Sequence, residues 1–248
     1  MTAGRVRRRR RRSLGQHYLV DSSVVARIIG LASIRRGDRV LEIGTGRGAL
    51  TRELVGLTDR LEGYEVDGET YAELEKELGG APSLTLHNED AFESSPSFDV
   101  LLSSLPYSES SVFIEWLSHQ RYERAVVVLQ QDFARKITAP PGDGAYRAVS
   151  VISQASARVE IVSGIGRQSF DPPPRVNSSL VAMRWKRSLT VEQTALIKRV
   201  FSQKRRTLGA ALKRLDMVLP PTSRLSASSR VNKLEPESVM ALVRGLGA

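Results

Sequence analysis

Two hydrophobic periods alternate along the first 130 residues. Val24, Val25, Ile28 and Leu31 recur on one side of a helix that Asp21 can cap. The run "RVLEIG" at 39 to 44 reads as a strand, followed by a helix from about Ala49 to Leu57 and a short strand, "LEGYEV", at 61 to 66. A charged helical pattern at 70 to 78 leads to a strand at 84 to 87 and then to "FDVLLSS" at 98 to 104. A helix near 110 to 118 and the strand "AVVVLQ" at 125 to 130 complete the series. Strand alternating with helix predicts an α/β fold, a mostly parallel sheet covered on both faces.

After Gln131 the rhythm changes. A Pro-Pro-Gly-Asp-Gly loop at 140 to 144 precedes a helical stretch at 146 to 157, and strand-like runs follow at 159 to 165 and 179 to 185. Two apolar strands around a proline-rich turn read as an antiparallel hairpin closing the sheet. Beyond Trp185 no strand pattern survives; residues 192 to 215 and 236 to 244 read as helical and basic. The expected organisation is a basic tail at 1 to 13, an α/β domain at 14 to 187 and a small all-α domain at 188 to 248. Low complexity is confined to the arginine tail.

Composition narrows the classes. With 248 residues and 41% apolar content the chain can hold one full domain and a small second one. No stretch approaches membrane-spanning length, and Gly15, Gln16 and His17 stand where a signal peptide needs its apolar segment, so the arginine-rich start is expected to be retained. The absence of cysteine excludes disulfides and thiolate chemistry and suits a cytoplasmic protein. His17, His87 and His119 lack metal-ligand spacing, so no metal is expected. The net charge of +10 is divided unevenly: residues 1 to 13 carry +7, residues 186 to 248 carry +9, and the remainder carries −6. Basic ends point to a polyanion partner, because lysine and arginine at phosphates dominate nucleic-acid affinity.

The chemistry concentrates at strand ends. "VLEIGTGRGALT" sets Gly44, Gly46 and Gly48 between a strand and a helix, where glycine permits close backbone approach to a ligand. The dinucleotide spacing G-x-G-x-x-G is broken, since the third glycine falls one position early. Glu42 would also sit badly beside a pyrophosphate, whereas a ligand with a sulfonium and an amino acid moiety tolerates it. Glu65, closing the next strand, is placed to accept ribose hydroxyls. Asp90, in "NEDAF", can accept from an adenine amino group. The pattern E-x-G-x-G-x-G resembles motif I of the S-adenosylmethionine-dependent methyltransferases.

Taken further, the chain from Leu14 to about Leu212 resembles the KsgA-type ribosomal RNA adenine N6,N6-dimethyltransferases, a family related to the Erm methyltransferases. The carrying segments are "GQHYLVD" (15 to 21), motif I, "VLQQDFARK" (128 to 136), "FDPPPRVNSSLV" (170 to 181) and "FSQKRRTLGAAL" (201 to 212). The resemblance implies a Rossmann-like methyltransferase domain with a helical RNA-binding domain, and S-adenosylmethionine as cofactor. It assigns cofactor contacts to His17, Leu19, Glu42, Gly44, Gly46, Glu65, Asp90 and Ser104. RNA contacts fall to Lys204, Arg205, Arg206, Lys213 and Arg214, on a basic helix. The implied substrate is a pair of adjacent adenosines in the 3′-terminal hairpin loop of small-subunit rRNA within an assembling subunit, modified by a monomer.

The tetrapeptide Ser104-Leu105-Pro106-Tyr107 stands where the family carries Asn-Leu/Ile-Pro-Tyr, the segment that receives the target adenine. An exocyclic amine is a poor nucleophile because its lone pair is delocalised into the ring. In the family the asparagine oxygen and the proline carbonyl accept from it, and Tyr107 and Phe170 are expected to stack on the extruded base. Serine at 104 is the departure: it accepts a hydrogen bond but is shorter and also donates. Three alternatives stay open here. They are a catalytically silent ribosome-assembly factor, a superfamily relative acting on large-subunit RNA or DNA, and a nicotinamide-dependent dehydrogenase.

Overall fold

The computed structural model describes residues 16–221 and 224–247; the arginine tail and Gly15 lie outside them. Nine strands occur among the described residues: β1 (Tyr18–Leu19), β2 (Arg39–Ile43), β3 (Arg60–Tyr64), β4 (Leu84–His87), β5 (Val100–Ser103), β6 (Arg124–Gln130), β7 (Ala157–Ile165), β8 (Phe170–Asp171) and β9 (Ser178–Trp185). Seven of them form one sheet in the order β4-β3-β2-β5-β6-β9-β7. The β2–β3, β3–β4, β2–β5 and β5–β6 pairs are parallel. β7 and β9 are neighbours at one edge, and the turn between them carries β8, which pairs antiparallel with β1. That two-stranded ribbon was not legible in the sequence, because each strand is only two residues long.

The first compact unit comprises residues 16–110, 122–131 and 161–182. Its central strands read as near-continuous apolar runs because both faces are covered: Val40, Leu41, Val100, Leu101 and Leu102 are all buried. Helix α1 (Ser22–Ala32) packs Val24, Val25 and Ile28 into this core, and its cap is Asp21, which accepts from the Ser23 and Val24 amides. The helix expected from Ala49 to Leu57 is shorter in the structure: α2 spans Thr51–Leu54, and the Leu57 amide bonds back three residues to Leu54, ending the α pattern. Helix α3 (Gly68–Leu78) is capped by Asp67. From β2 the chain winds through β3 and β4 one way and through β5 and β6 the other. The winding therefore reverses between β2 and β5, and in open α/β sheets the crevice at that reversal binds ligands.

The second unit comprises residues 111–121, 132–160 and 183–247, and is mainly helical: α4 (Ser110–His119), α5 (Gln131–Thr138), α6 (Ala148–Ser156), α7 (Val191–Phe201), α8 (Leu208–Arg214) and α9 (Pro236–Gly245). Its core joins Tyr146, Val151 and Ile152 to Ile197, Val200, Leu212 and Val243. The stretch expected as helical from 192 to 215 is interrupted. Residues 202–207 form a turn, Thr207 bridges to Arg230 in extended conformation, and its side chain caps α8 by accepting from the Ala210 amide. No described helix is long and apolar enough to cross a membrane.

Candidate active site

Ile43 ends β2 and the chain then turns through three left-handed glycines, with φ of 78° at Gly44, 52° at Gly46 and 78° at Gly48. The early third glycine thus continues an alternation of backbone that side chains resist. A Cβ at Gly44 would lie 3.1 Å from Leu105 Cδ2, so the glycine loop and the Ser104–Tyr107 segment are in direct apposition. The loop is held from below by Glu65, whose Oε2 accepts the Gly46 N–H at 2.9 Å and whose Oε1 accepts the Asp67 N–H at 2.8 Å. Burial nevertheless raises the Glu65 pKa.

Glu42 interrupts the apolar run of β2 at 1% exposure. Thr51 donates to its Oε2 at 2.8 Å. No cation pairs with it among the described residues, and burial, helped by the Glu65 charge, pushes its pKa up to about 8 against the stabilising Thr51 bond.

Two hollows meet here, both within the first unit, and they share Gln16, Gly44, Glu65 and Pro106 on their walls. The first, about 510 Å³, takes in His17, Leu19, Glu42, Gly46 and Ser104. The second, about 540 Å³, is more apolar and takes in Tyr64, Asp90, Phe92 and Leu105. Asp90 Oδ1 accepts the Phe92 N–H at 3.1 Å, turning the chain beside the second hollow. The eight residues expected to contact a cofactor therefore all line one hollow or the other.

Sequence reasoning missed three participants. Thr45, between two glycines, lines the first hollow, and its buried Oγ1 has no hydrogen-bond partner among the described residues. Tyr18 covers the loop, its Cδ1 3.1 Å from where a Gly46 Cβ would stand, with the Arg47 guanidinium 4.4 Å from its ring centroid. Gln16 lines both hollows and accepts from the Tyr18 hydroxyl at 2.7 Å. The single residue at each position carried no periodic signal.

Pro106 stands on the wall that both hollows share, and Tyr107 follows it outside both linings. The Pro106 carbonyl accepts the Glu109 N–H at 3.0 Å, opening a short 3₁₀ turn at Tyr107–Glu109. Tyr107 is half-buried, its ring 6.0 Å from that of His17. His17 Nδ1 in turn lies 2.7 Å from the Pro172 carbonyl. Phe170 is not brought into either hollow. It pairs with Leu19 in the β1–β8 ribbon and packs in the core at 3% exposure, drawn there by the apolar neighbours that the ribbon imposes.

Of the basic residues, Lys204, Arg205 and Arg206 sit in the turn between α7 and α8 rather than on a helix, while Lys213 and Arg214 are exposed in the last turn of α8. Lys204 Nζ donates to the Tyr146 carbonyl at 3.4 Å, and desolvation, together with repulsion from Arg147 and Arg205, lowers its pKa.

A model of the ribosomal RNA adenine dimethylase family matches residues 7–246. The chain belongs to that family. Among its relatives, the probable ribosomal RNA small subunit methyltransferase A of Pyrococcus abyssi is 35% identical over 200 residues, covering 81% of this chain and 74% of the relative. The ribosomal RNA small subunit methyltransferase A of Synechococcus sp. (strain CC9605) is 30% identical over 95% of this chain and 96% of its own. Among solved structures, a dimethyladenosine transferase from Plasmodium falciparum superposes with a TM-score of 0.77 at 28% identity, covering 91% of this chain and 96% of its own. The 23S rRNA methyltransferase ErmE gives 0.69 at 25%, covering 93% and 100%.

Family membership makes this a methyltransferase of the S-adenosylmethionine-dependent class, and the residues present fit that cofactor. A buried, unpaired Glu42 suits a ligand carrying positive charge, and Thr45 Oγ1 is a polar atom in want of a partner. The apolar second hollow with Asp90 on its wall suits an adenine ring.

Proposed function

We propose that this protein dimethylates N6 of two adjacent adenosines in the 3′-terminal hairpin loop of small-subunit ribosomal RNA, during assembly of the subunit, using S-adenosylmethionine. The observation that carries the reading is the shared wall: Ser104 and Pro106 line the same hollow as Glu42, Gly44 and Glu65. A target amine at the first two would face whatever the last three hold.

The cofactor supplies an electrophilic methyl group on a positively charged sulfur. Everything else is positioning by the chain. Glu65 and Asp90 are suited to hold ribose and adenine, and Glu42 and the glycine loop to hold the amino acid end. Ser104 Oγ and the Pro106 carbonyl accept from the two N6 protons, drawing the nitrogen toward a tetrahedral geometry, and Tyr107 stacks on the base. Each transfer releases one proton from N6. Alignment of this kind contributes on the order of 7 to 11 kcal/mol to a barrier. The exposed cations Arg205, Arg206, Lys213 and Arg214, with Lys204, supply phosphate contacts whose affinity falls with salt. The Phe170 ring would need to leave the core to stack on a base.

A second reading, a ribosome-assembly factor that has kept the fold without the catalysis, is favoured by one observation, serine at 104. The test is to incubate purified protein with labelled S-adenosylmethionine and unmodified small subunits, then map methylated adenines by nuclease digestion and mass spectrometry. Dimethyladenosine at adjacent positions near the 3′ end is the expected result. Cofactor binding without label transfer would favour the assembly-factor reading.

A further inference from the structure

Ser178 opens β9 with 0% exposure, inside the segment 170 to 181 whose other residues the proposed function leaves without a role. Its Oγ lies 2.6 Å from the Tyr107 hydroxyl, 71 residues away in sequence. At the other end of the same residue, Ser110, also buried, donates its hydroxyl to the Tyr107 carbonyl at 2.9 Å. The tyrosine is thus tethered at both ends, backbone and phenol. Neighbouring bonds hold the tethers themselves: the Gln131 amide donates to the Asn177 carbonyl at 3.0 Å, and the Ser103 hydroxyl to the Ile43 carbonyl at 2.9 Å.

A tyrosine that served only as filler would not need this. Its ring is only half-buried, next in the chain to Pro106 on the wall of the first hollow, and a lone phenol there could swing to water about χ1. A hydrogen bond to a fully buried hydroxyl holds the ring in one χ1 well, because swinging the phenol away would leave the buried Ser178 hydroxyl without that partner.

We propose that Ser178 is a positioning residue that holds the Tyr107 ring in place as the platform for the extruded target adenine. This rests on the methyltransferase reading above. It makes Ser178 act through Tyr107 and not on the substrate.

The test is a double-mutant cycle in the full-length protein, with Ser178→Ala, Tyr107→Phe and the two combined. Two quantities are read: kcat and KM for methylation of unmodified small subunits, and fluorescence of a 2-aminopurine placed at the target position of an rRNA hairpin. Ser178→Ala is expected to lower kcat about 10- to 100-fold, the scale of a misplaced reacting group, with KM for cofactor unchanged. Tyr107→Phe keeps the stacking face but loses the tether and is expected to fall equally. The combined variant is expected to fall no further, and Ser178→Thr, which keeps the hydroxyl, to recover activity. The aminopurine signal on base extrusion is expected to fall in parallel. Full additivity of the two losses, or native kcat in Ser178→Ala, would overturn the proposal. A native protein that neither methylates nor extrudes the base would instead overturn the functional reading beneath it.

Discussion

Arg47 Nη1 and Asp171 Oδ2, 124 residues apart, lie 2.7 Å from each other, and the same guanidinium covers the Tyr18 ring. One arginine of the glycine loop thereby ties down both strands of the β1–β8 ribbon. Tyr18 and Leu19 of the ribbon, with His17 just before it, line the first hollow, so the ion pair straps down part of that hollow's wall.

Both partners of that pair are more than half exposed, so the bond is expected to contribute under about 1 kcal/mol to global stability. Asp171→Asn should therefore move the melting temperature little. It should raise the cofactor dissociation constant severalfold by fraying the strap, as measured by calorimetric titration. An unchanged dissociation constant would remove the strap from the binding site.

Glu42 gives a pH signature. The unfolded chain releases this proton near the ordinary glutamate value of 4.5, whereas the folded protein holds it to about 8. The folded state thus binds the extra proton between these limits, and stability falls as pH rises through them. Glu42→Gln removes the titration and keeps an acceptor for Thr51. In cofactor-free protein the variant is expected to match the native chain below about pH 4 and to exceed it by a few kcal/mol above pH 8. A pH-independent stability difference between the two proteins would show that folding does not raise the Glu42 pKa.

In the proposed function Ser104 is one of the two acceptors that hold the amine. Asparagine reaches further and offers a carbonyl acceptor, so Ser104→Asn is expected to speed the second methylation and so to lower the share of monomethyl intermediate at early times. By analogy with other aligned hydrogen bonds the gain could approach ~10²-fold. Mass spectrometry of nuclease digests at matched times reads it directly, and an identical product ratio would mean the side chain at 104 does not touch the amine.

Away from the site, Arg124 and Asp38 form a buried ion pair, with Arg124 also donating to the Ala32 carbonyl at 2.5 Å and the Ser33 carbonyl at 2.9 Å. This network pins the end of α1 to β6. Asp38→Ala is expected to cost about 1 to 3 kcal/mol, because Arg124 and the Arg35 N–H lose an acceptor while Glu123 still pairs with the guanidinium. Urea denaturation would show it as a fall in midpoint at constant slope.

Much of this was written locally. The alternation of strands and helices, the strand-end acids Glu42, Glu65 and Asp90, and the glycine loop were legible because each is a short-range pattern. Period, spacing and turn chemistry need no partner elsewhere in the chain. The break at 202–207 was less legible, since it depends on Thr207 bridging to Arg230, and the boundary near 187 was drawn from pattern, while the core joins 146–155 to the helices that follow.

What tertiary structure alone decided are the long-range contacts. Nothing in the sequence brings Ser178 to Tyr107, Arg47 to Asp171, or Tyr18 over Gly46, and nothing marks Phe170 as a core residue rather than an exposed face. The reason is physical. A hydrogen bond or a packed ring is a property of two surfaces, and which surfaces meet is set only when the winding of the sheet reverses between β2 and β5 and the ribbon closes over them.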